Sequence, residues 1–231
     1  MHRSLLTVLV LAASPSLAQA PTSATPGAPA AKAAPATPGA PAAKGTPAKP
    51  GPAPAVAPGT SDPMKLAAQL TQTALQSTPA AKPEDVRTPE ALLAALYDVI
   101  SGPAGKARDW QRFRSLFYPG ARMVPVHRAK PGGPPGILPI TPEDYVAWGE
   151  PYFQKHAFYE KESHRQVAGY GDLLNVLSAY ESRDDPNAAP FAKGVNNIQL
   201  AFDGQRWWVL HIAWMDEKAA GTAVPSTFVR K

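Results

Sequence analysis

The chain has 231 residues, 28 prolines, no cysteine and a formal net charge of +5. The lack of cysteine excludes disulfides and a cysteine nucleophile, and the length allows one domain or two small ones. Six Lys/Arg residues and one acid precede Glu84, whereas 17 Lys/Arg and 17 Asp/Glu follow from Glu84 onward. Because the part that we expect to fold is formally neutral, we expect no nucleic-acid-binding face.

An export signal is predicted at the N-terminus. A positive start precedes the apolar run at 5–13 (LLTVLVLAA) and a small-residue cleavage site. We place the cut after Ala18, because the alternative after Ala20 would put Pro21 beside the cleaved bond. A membrane anchor is the competing interpretation, but a spanning helix needs ~20 apolar residues. We therefore expect a signal peptide at residues 1–18. After its removal, we expect the protein to be periplasmic or secreted and not inserted in the membrane.

Residues 19–83 are predicted to form a disordered linker rich in Ala and Pro. The motif ATPGAPAAK occurs twice, at 24–32 and 36–44. Such a segment has little to bury and favours extended conformations. Its composition fits a spacer or wall-spanning tether, and equally a segment without a specific role. The apolar stripe within 64–76 indicates a short helix.

Three helices are predicted at the start of the folded part, which we place at 84–218 with a C-terminal tail at 219–231. Cap-then-proline pairs mark the beginning of the first helix at Thr88 and of the third at Thr141. The second begins at Asp109 and ends near Tyr118, and we expect Pro151 to bend or shorten the third. A short strand at 122–127 and a Pro/Gly-rich loop at 128–139 lie between the second and third helices.

Four long strands are predicted afterwards, at 158–167, 173–183, 195–202 and 206–215. Helices followed by a meander of strands favour an α+β fold, with three helices packed on one face of an antiparallel sheet of four long strands plus one short strand.

The Asp203-Gly204 pair is typical of a two-residue hairpin turn, which would fix the register of the last two strands. Phe202 would then pair with Gln205, and Asn196 would lie opposite His211. We expect helices to cover the His211 face. A partner subunit or the chain's own tail would cover the face of Trp208 and Trp214.

The order of elements and the segment DGQRWWVLH at 203–211 resemble the NTF2-like superfamily, with its SnoaL-like and ketosteroid-isomerase-like members, over roughly residues 86–217. The closing segment is similar to the D-G-x-W-x-I-x-H ending common there. Three further segments resemble those of exported bacterial relatives with no assigned activity: Glu162-x-His164, YESR at 180–183 and GVNNIQL at 194–200. The resemblance implies a cone whose sheet curls around the helices, a mostly apolar pocket, and a homodimer through the outer sheet face.

Several side chains are candidates for chemistry. His164 with Glu162, or His211 with Tyr180, would form an acid/base pair if each pair shared a face. A solvated strand for the first pair and a hydrogen-bonded core histidine at position 211 are the alternatives. Further candidates for ligand binding are Asn196, Gln199, Trp207 and Arg183. The histidines are too scattered for a local metal site, and we expect no metal and no cofactor.

These patterns support two main hypotheses for the function. The first is a non-catalytic module that binds a small, partly apolar ligand or serves as an interaction domain. The alternative is a lyase or isomerase acting on a small hydrophobic substrate in the pocket. A purely structural dimer at the cell envelope is compatible with the same sequence.

Overall fold

The computed structural model describes residues 62–130 and 132–228. The predicted signal peptide and the repeats at 24–32 and 36–44 lie outside the described residues. Within the described part, no helix is long and apolar enough to cross a membrane.

The α-helices of the described part are α1 (Pro63–Ser77), α2 (Pro83–Val86), α3 (Pro89–Ile100), α4 (Trp110–Ser115), α5 (Pro142–Lys155) and α6 (Glu217–Ala220). Their starts follow the sequence signals. The Thr88 side chain accepts a hydrogen bond from the backbone N–H of Ala91, and Thr141 and Asp144 form a reciprocal capping box. α1 lies where a short helix was predicted over 64–76. Contrary to expectation, α5 continues through Pro151 for another turn.

The strands are β1 (Phe117–Arg128), β2 (Pro135–Ile137), β3 (Tyr159–Tyr170), β4 (Leu173–Arg183), β5 (Ala192–Phe202) and β6 (Trp207–Asp216). They form one six-stranded sheet in the order β2-β1-β6-β5-β4-β3. Two expectations were wrong. β1 is a long strand that pairs parallel with β6, so the sheet is mixed, and β2 forms within the segment predicted as a loop.

The register predicted for the β5–β6 hairpin was also wrong. Phe202 pairs with Trp207 rather than Gln205, because Asp203 N–H donates to the Arg206 carbonyl and the loop is longer than two residues. An irregularity after Gln199 then leaves Leu210 without a partner. An extra residue of this kind moves all later side chains to the other face.

Helices α3, α4 and α5 pack on one face of the sheet, which we call the inner face. Val176, Ile198 and Leu200 on this face are fully buried in the core formed with α3, α4 and α5. Complete burial of such side chains stabilises the fold by about 1.5–3 kcal/mol each. The opposite face, the outer face, carries alternate residues such as Asn197 and Gln199, which are exposed.

Part of the outer face is covered by the chain's own tail. A 3-10 helix at Ser226–Phe228 places the buried Phe228 ring 6.4 Å from the His164 ring. The tail therefore packs beside β3. Trp208 on the outer face is instead covered by Tyr118 and by Arg206, whose guanidinium lies 3.6 Å from the Trp208 ring centroid.

Candidate functional site

The Glu160 carboxyl lies on the inner face, near the beginning of β3. Glu160 is directly opposite Ser182, whose hydroxyl donates a hydrogen bond of 2.9 Å to Glu160 Oε2. Ser182 is buried, whereas Glu160 is half-buried. None of the ion pairs in the described part of the chain includes Glu160.

Burial of this carboxyl raises the pKa of Glu160 from its ordinary value of 4.5 to about 7, although the Ser182 hydrogen bond lowers it in part. A carboxyl with a pKa near neutrality can both accept and release a proton at physiological pH. Glu160 therefore has the property that an acid/base group requires.

Three tyrosines from three elements lie within electrostatic reach of this carboxyl. They are Tyr97 on α3, Tyr145 on α5 and Tyr180 on β4. Burial raises the pKa of each hydroxyl, and the negative charge of Glu160 raises it further. The region is thus aromatic and acidic, and all three hydroxyls stay protonated at neutral pH.

Tyr97 belongs to a buried chain of hydrogen bonds. Asn196 Nδ2 donates to Tyr97 Oη over 3.0 Å, and Tyr97 Oη lies 2.6 Å from Ser178 Oγ. Ser178 uses its single proton to donate to Glu162 Oε1 over 2.5 Å, so Tyr97 must donate to Ser178. Arg165 donates to the other oxygen of Glu162, at 2.8 Å from its Nε. Because every member has partners, this chain of hydrogen bonds fixes α3 against the sheet.

The Tyr180 hydroxyl has a different environment. Tyr180 is only 5% exposed, yet no hydrogen bond joins its hydroxyl to another described residue. In residues 62–130 and 132–228, every fully enclosed side-chain nitrogen or oxygen has a hydrogen-bond partner. The Tyr180 oxygen must therefore border a space that a water molecule can enter. The same reasoning applies to the hydroxyl of Tyr145, which also has no hydrogen-bond partner in the part of the chain that the structure describes.

The pair His164 and Glu162 does not form. β3 has an irregularity at Ser163, so that Glu162 lies opposite Tyr180 while His164 lies opposite Ala179. Since Tyr180 and Ala179 are successive residues of β4, their side chains point to opposite faces. Glu162 is on the inner face and His164 on the outer face, against the expectation that they share one.

The pair His211 and Tyr180 is separated in the same way. His211 lies opposite Gln199 rather than Asn196, and this places it on the outer face, not beneath the helices. The extra residue also brings Trp214 opposite Asn196 on the inner face. We expected Trp208 and Trp214 to share one face, but they lie on opposite faces.

The other candidates are distributed over both faces. Asn196 is buried in the hydrogen-bond chain, and Trp207 packs against the core. Arg183 donates hydrogen bonds to the carboxylate of Glu181 and to the carbonyl of Ala188. Its guanidinium therefore binds groups of its own strand and of the loop that follows. Gln199 lies on the outer face.

The outer face holds a shallow pocket of about 680 Å³ across four strands. Its lining includes Gln199 and His211 with Asn175, Leu177 and Asn197. A homodimer through this face stays a prediction. The described residues contain no group of three or more His, Asp and Glu side chains that could hold a metal ion.

Sequence reasoning missed Glu160, Tyr97 and Ser178. The segment 160–165 is charged at nearly every position, so its pattern does not tell an inner from an outer residue. A usable signal was the pair of serines at 178 and 182, which flank Tyr180 with the period of two that marks one strand face.

Several solved structures are similar to this chain, and three of them illustrate the likeness. An NTF2-like protein of unknown function from Silicibacter pomeroyi DSS-3 is 13% identical, covers 55% of this chain and 91% of its own, and has a TM-score of 0.39. LinA is 11% identical over 68% of this chain and 97% of its own, with a TM-score of 0.43. An NTF2-like protein of unknown function from Shewanella baltica OS155 is 14% identical, covers 56% of this chain and 96% of its own, and has a TM-score of 0.33.

Two of these three proteins are NTF2-like, and this chain is similar to them in fold. At these identities the likeness concerns the fold and not an activity, because one fold hosts many functions. No family model matches the chain, and no curated protein matches it. A function for this chain therefore rests on its own residues.

Proposed function

We propose that the inner face of this NTF2-like domain binds a small, partly apolar molecule and that Glu160 transfers a proton to or from it, as in lyase and isomerase chemistry. One observation carries the proposal. Among the described residues, the half-buried Glu160 carboxyl has a single donor, Ser182, and no ion-pair partner, and it lies near the Tyr180 hydroxyl, which has no partner there.

The roles of the residues follow from their contacts. Glu160 is the proton acceptor or donor, and a pKa of about 7 suits both directions. Tyr180 offers a protonated hydroxyl that can donate to an oxygen of the bound molecule. Tyr97 is a positioning residue, because its hydroxyl is engaged by Ser178 and Asn196.

The experiment detects proton transfer whatever the identity of the substrate. The full chain is incubated in heavy water with a small-molecule extract of bacterial cells, and mass spectrometry identifies compounds that gain deuterium. The E160Q variant keeps the size of the side chain but cannot accept a proton, and E150Q at an exposed position of α5 is the matched control. General acid/base catalysis contributes about 10²–10⁴-fold. We expect labelling by the wild type and E150Q, reduced about 100-fold or more in E160Q.

Equal labelling by E160Q and the wild type would show that Glu160 is not the acid/base group. Compounds that co-purify with the domain but gain no deuterium would instead favour the non-catalytic binding module. That second function is supported by the Tyr145 and Tyr180 hydroxyls, which have no hydrogen-bond partner among the described residues and could bond a ligand without any chemistry.

A further inference from the structure

Two carboxylates lie near the Tyr180 hydroxyl. Tyr180 is directly opposite Gly194 on β5, and Gly194 is directly opposite Asp216 at the end of β6. The Tyr180 side chain extends over Gly194 towards β6, since a Cβ atom at position 194 would lie 2.5 Å from both Tyr180 Oη and the carbonyl oxygen of Met215. The hydroxyl is therefore placed between Glu160 on one side and Asp216 on the other.

Both carboxylates act on the tyrosine electrostatically. Burial is the largest cause of the raised pKa of Tyr180. The negative charge of Glu160 is the second largest cause, and that of Asp216 is the third. None of the described ion pairs includes either carboxylate. Asp216 accepts a hydrogen bond from the backbone N–H of Ala219 as the N-cap of α6.

Within residues 62–130 and 132–228, no ion-paired cation neutralises these two carboxylates. Burial of a carboxylate without a counter-ion is unfavourable, and a bound cation would relieve this cost. The Tyr180 side chain is 5% exposed, and its oxygen, which has no hydrogen-bond partner among the described residues, has free lone pairs that would accept a hydrogen bond from an N–H group. An aromatic ring beside a carboxylate is also a favourable environment for an ammonium group.

We propose that the molecule bound at the inner face is a small amine, whose ammonium group lies between Glu160 and Asp216 and donates to the Tyr180 hydroxyl. The proposal rests on the proposed function only in placing a ligand site at the inner face. It adds the charge of the ligand and assigns Asp216 to its recognition. Anionic molecules are excluded by the same two carboxylates.

The probes are cyclohexylamine, cyclohexanol and cyclohexanecarboxylate, which share a ring and differ in charge. Their affinities for the full chain are measured by calorimetry at pH 7.5. The wild type should bind the amine about tenfold or more tightly than the alcohol, with no measurable binding of the carboxylate. Equal affinities for amine and alcohol, or no binding of the amine at millimolar concentration, would overturn the proposal.

The D216N variant removes the charge and retains an N-cap residue for α6, because Asn caps helices as well as Asp. D184N, at an exposed position of the β4–β5 loop, is the matched control. We expect D216N to weaken amine binding about tenfold and to leave cyclohexanol unaffected, with D184N unchanged for both. An unchanged amine affinity in D216N would contradict the assignment of Asp216.

The two proposals fail separately. If D216N weakens amine binding while E160Q and the wild type label substrates equally, the ligand class stands and proton transfer by Glu160 does not. If E160Q abolishes labelling while amine and alcohol bind equally, proton transfer stands and the ligand class is wrong.

Discussion

The Tyr180 hydroxyl occupies the space where a side chain on Gly194 would begin. A Cβ atom on Gly194 would lie 2.5 Å from Tyr180 Oη and 2.6 Å from its ring carbon Cζ. Because real Cβ atoms do not approach other atoms this closely, the tyrosine can extend over β5 only while position 194 has no side chain. A glycine near the beginning of β5 here determines where a candidate site hydroxyl lies.

The G194A variant should displace Tyr180. Overpacking in a buried region costs about 1–3 kcal/mol of unfolding free energy, which urea unfolding will measure. The substitution N197A on the exposed outer face of the same strand is the control, and it should change stability by less than about 0.5 kcal/mol. If G194A is as stable as the wild type and its tyrosine spectrum is unchanged, the close approach of the two residues is wrong.

Glu160 should make the protein less stable as the pH rises. Its pKa is about 7 in the folded protein and 4.5 ordinarily, so between these values the folded state holds a proton that the unfolded state has lost. Stability therefore falls from about pH 4.5 to about pH 7, by up to about 3 kcal/mol in total. E160Q stays neutral and should lose this pH dependence, as urea unfolding from pH 4.5 to 8 will test.

Glu181 offers a comparison of opposite sign. Burial raises the pKa of Glu181, but hydrogen bonds from Arg183 and Lys193 outweigh it and hold the pKa below the ordinary value. Its charge therefore stabilises the fold above its ordinary pKa, and this contribution is lost as the pH falls through the lowered pKa. E181Q should reduce stability at pH 7 and lose its effect in acid. If the stability of E160Q and that of E181Q change with pH in the same way, the opposite directions assigned to the Glu160 and Glu181 pKa shifts are wrong.

Y97F should destabilise the fold through the hydrogen-bond chain of α3. The change removes the hydroxyl that bridges Asn196 and Ser178 and leaves polar groups on two buried residues short of a partner, at about 1–3 kcal/mol. Y170F is the matched control, since Tyr170 is 93% exposed. Denaturant midpoints of the two variants give the comparison, and equal midpoints would mean that the Tyr97 bonds contribute nothing net.

Asp203 should stabilise the β5–β6 loop and the nearby tryptophan. Its Oδ1 accepts from the backbone N–H groups of Gln205 and Arg206, each at 2.8 Å, and its Oδ2 accepts from Trp208 Nε1 at 2.7 Å. D203A removes all three bonds and should cost about 1–3 kcal/mol, with a shift in tryptophan emission. D184A at an exposed position should leave both the stability and the emission unchanged.

Local signals in the sequence were sufficient for most elements. The strand predicted at 173–183 is β4 residue for residue, and the cap-then-proline pairs at Thr88 and Thr141 mark the beginnings of α3 and α5. These features depend on neighbours in the chain, such as a threonine oxygen three residues from the N–H that it accepts from. The α+β class followed from the order of the elements.

Tertiary structure alone decided the site. One extra residue at Ser163 and another at Leu210 moved His164 and His211 to the outer face, and no local pattern distinguishes such a residue from its neighbours. The parallel pairing of β1 with β6 likewise joins strands that are distant in the sequence. The sequence by itself determined which segments become helices and strands. Only the packed sheet decided that Glu160 meets Ser182 and the tyrosines, because the face of each side chain depends on how the strands register across the whole sheet.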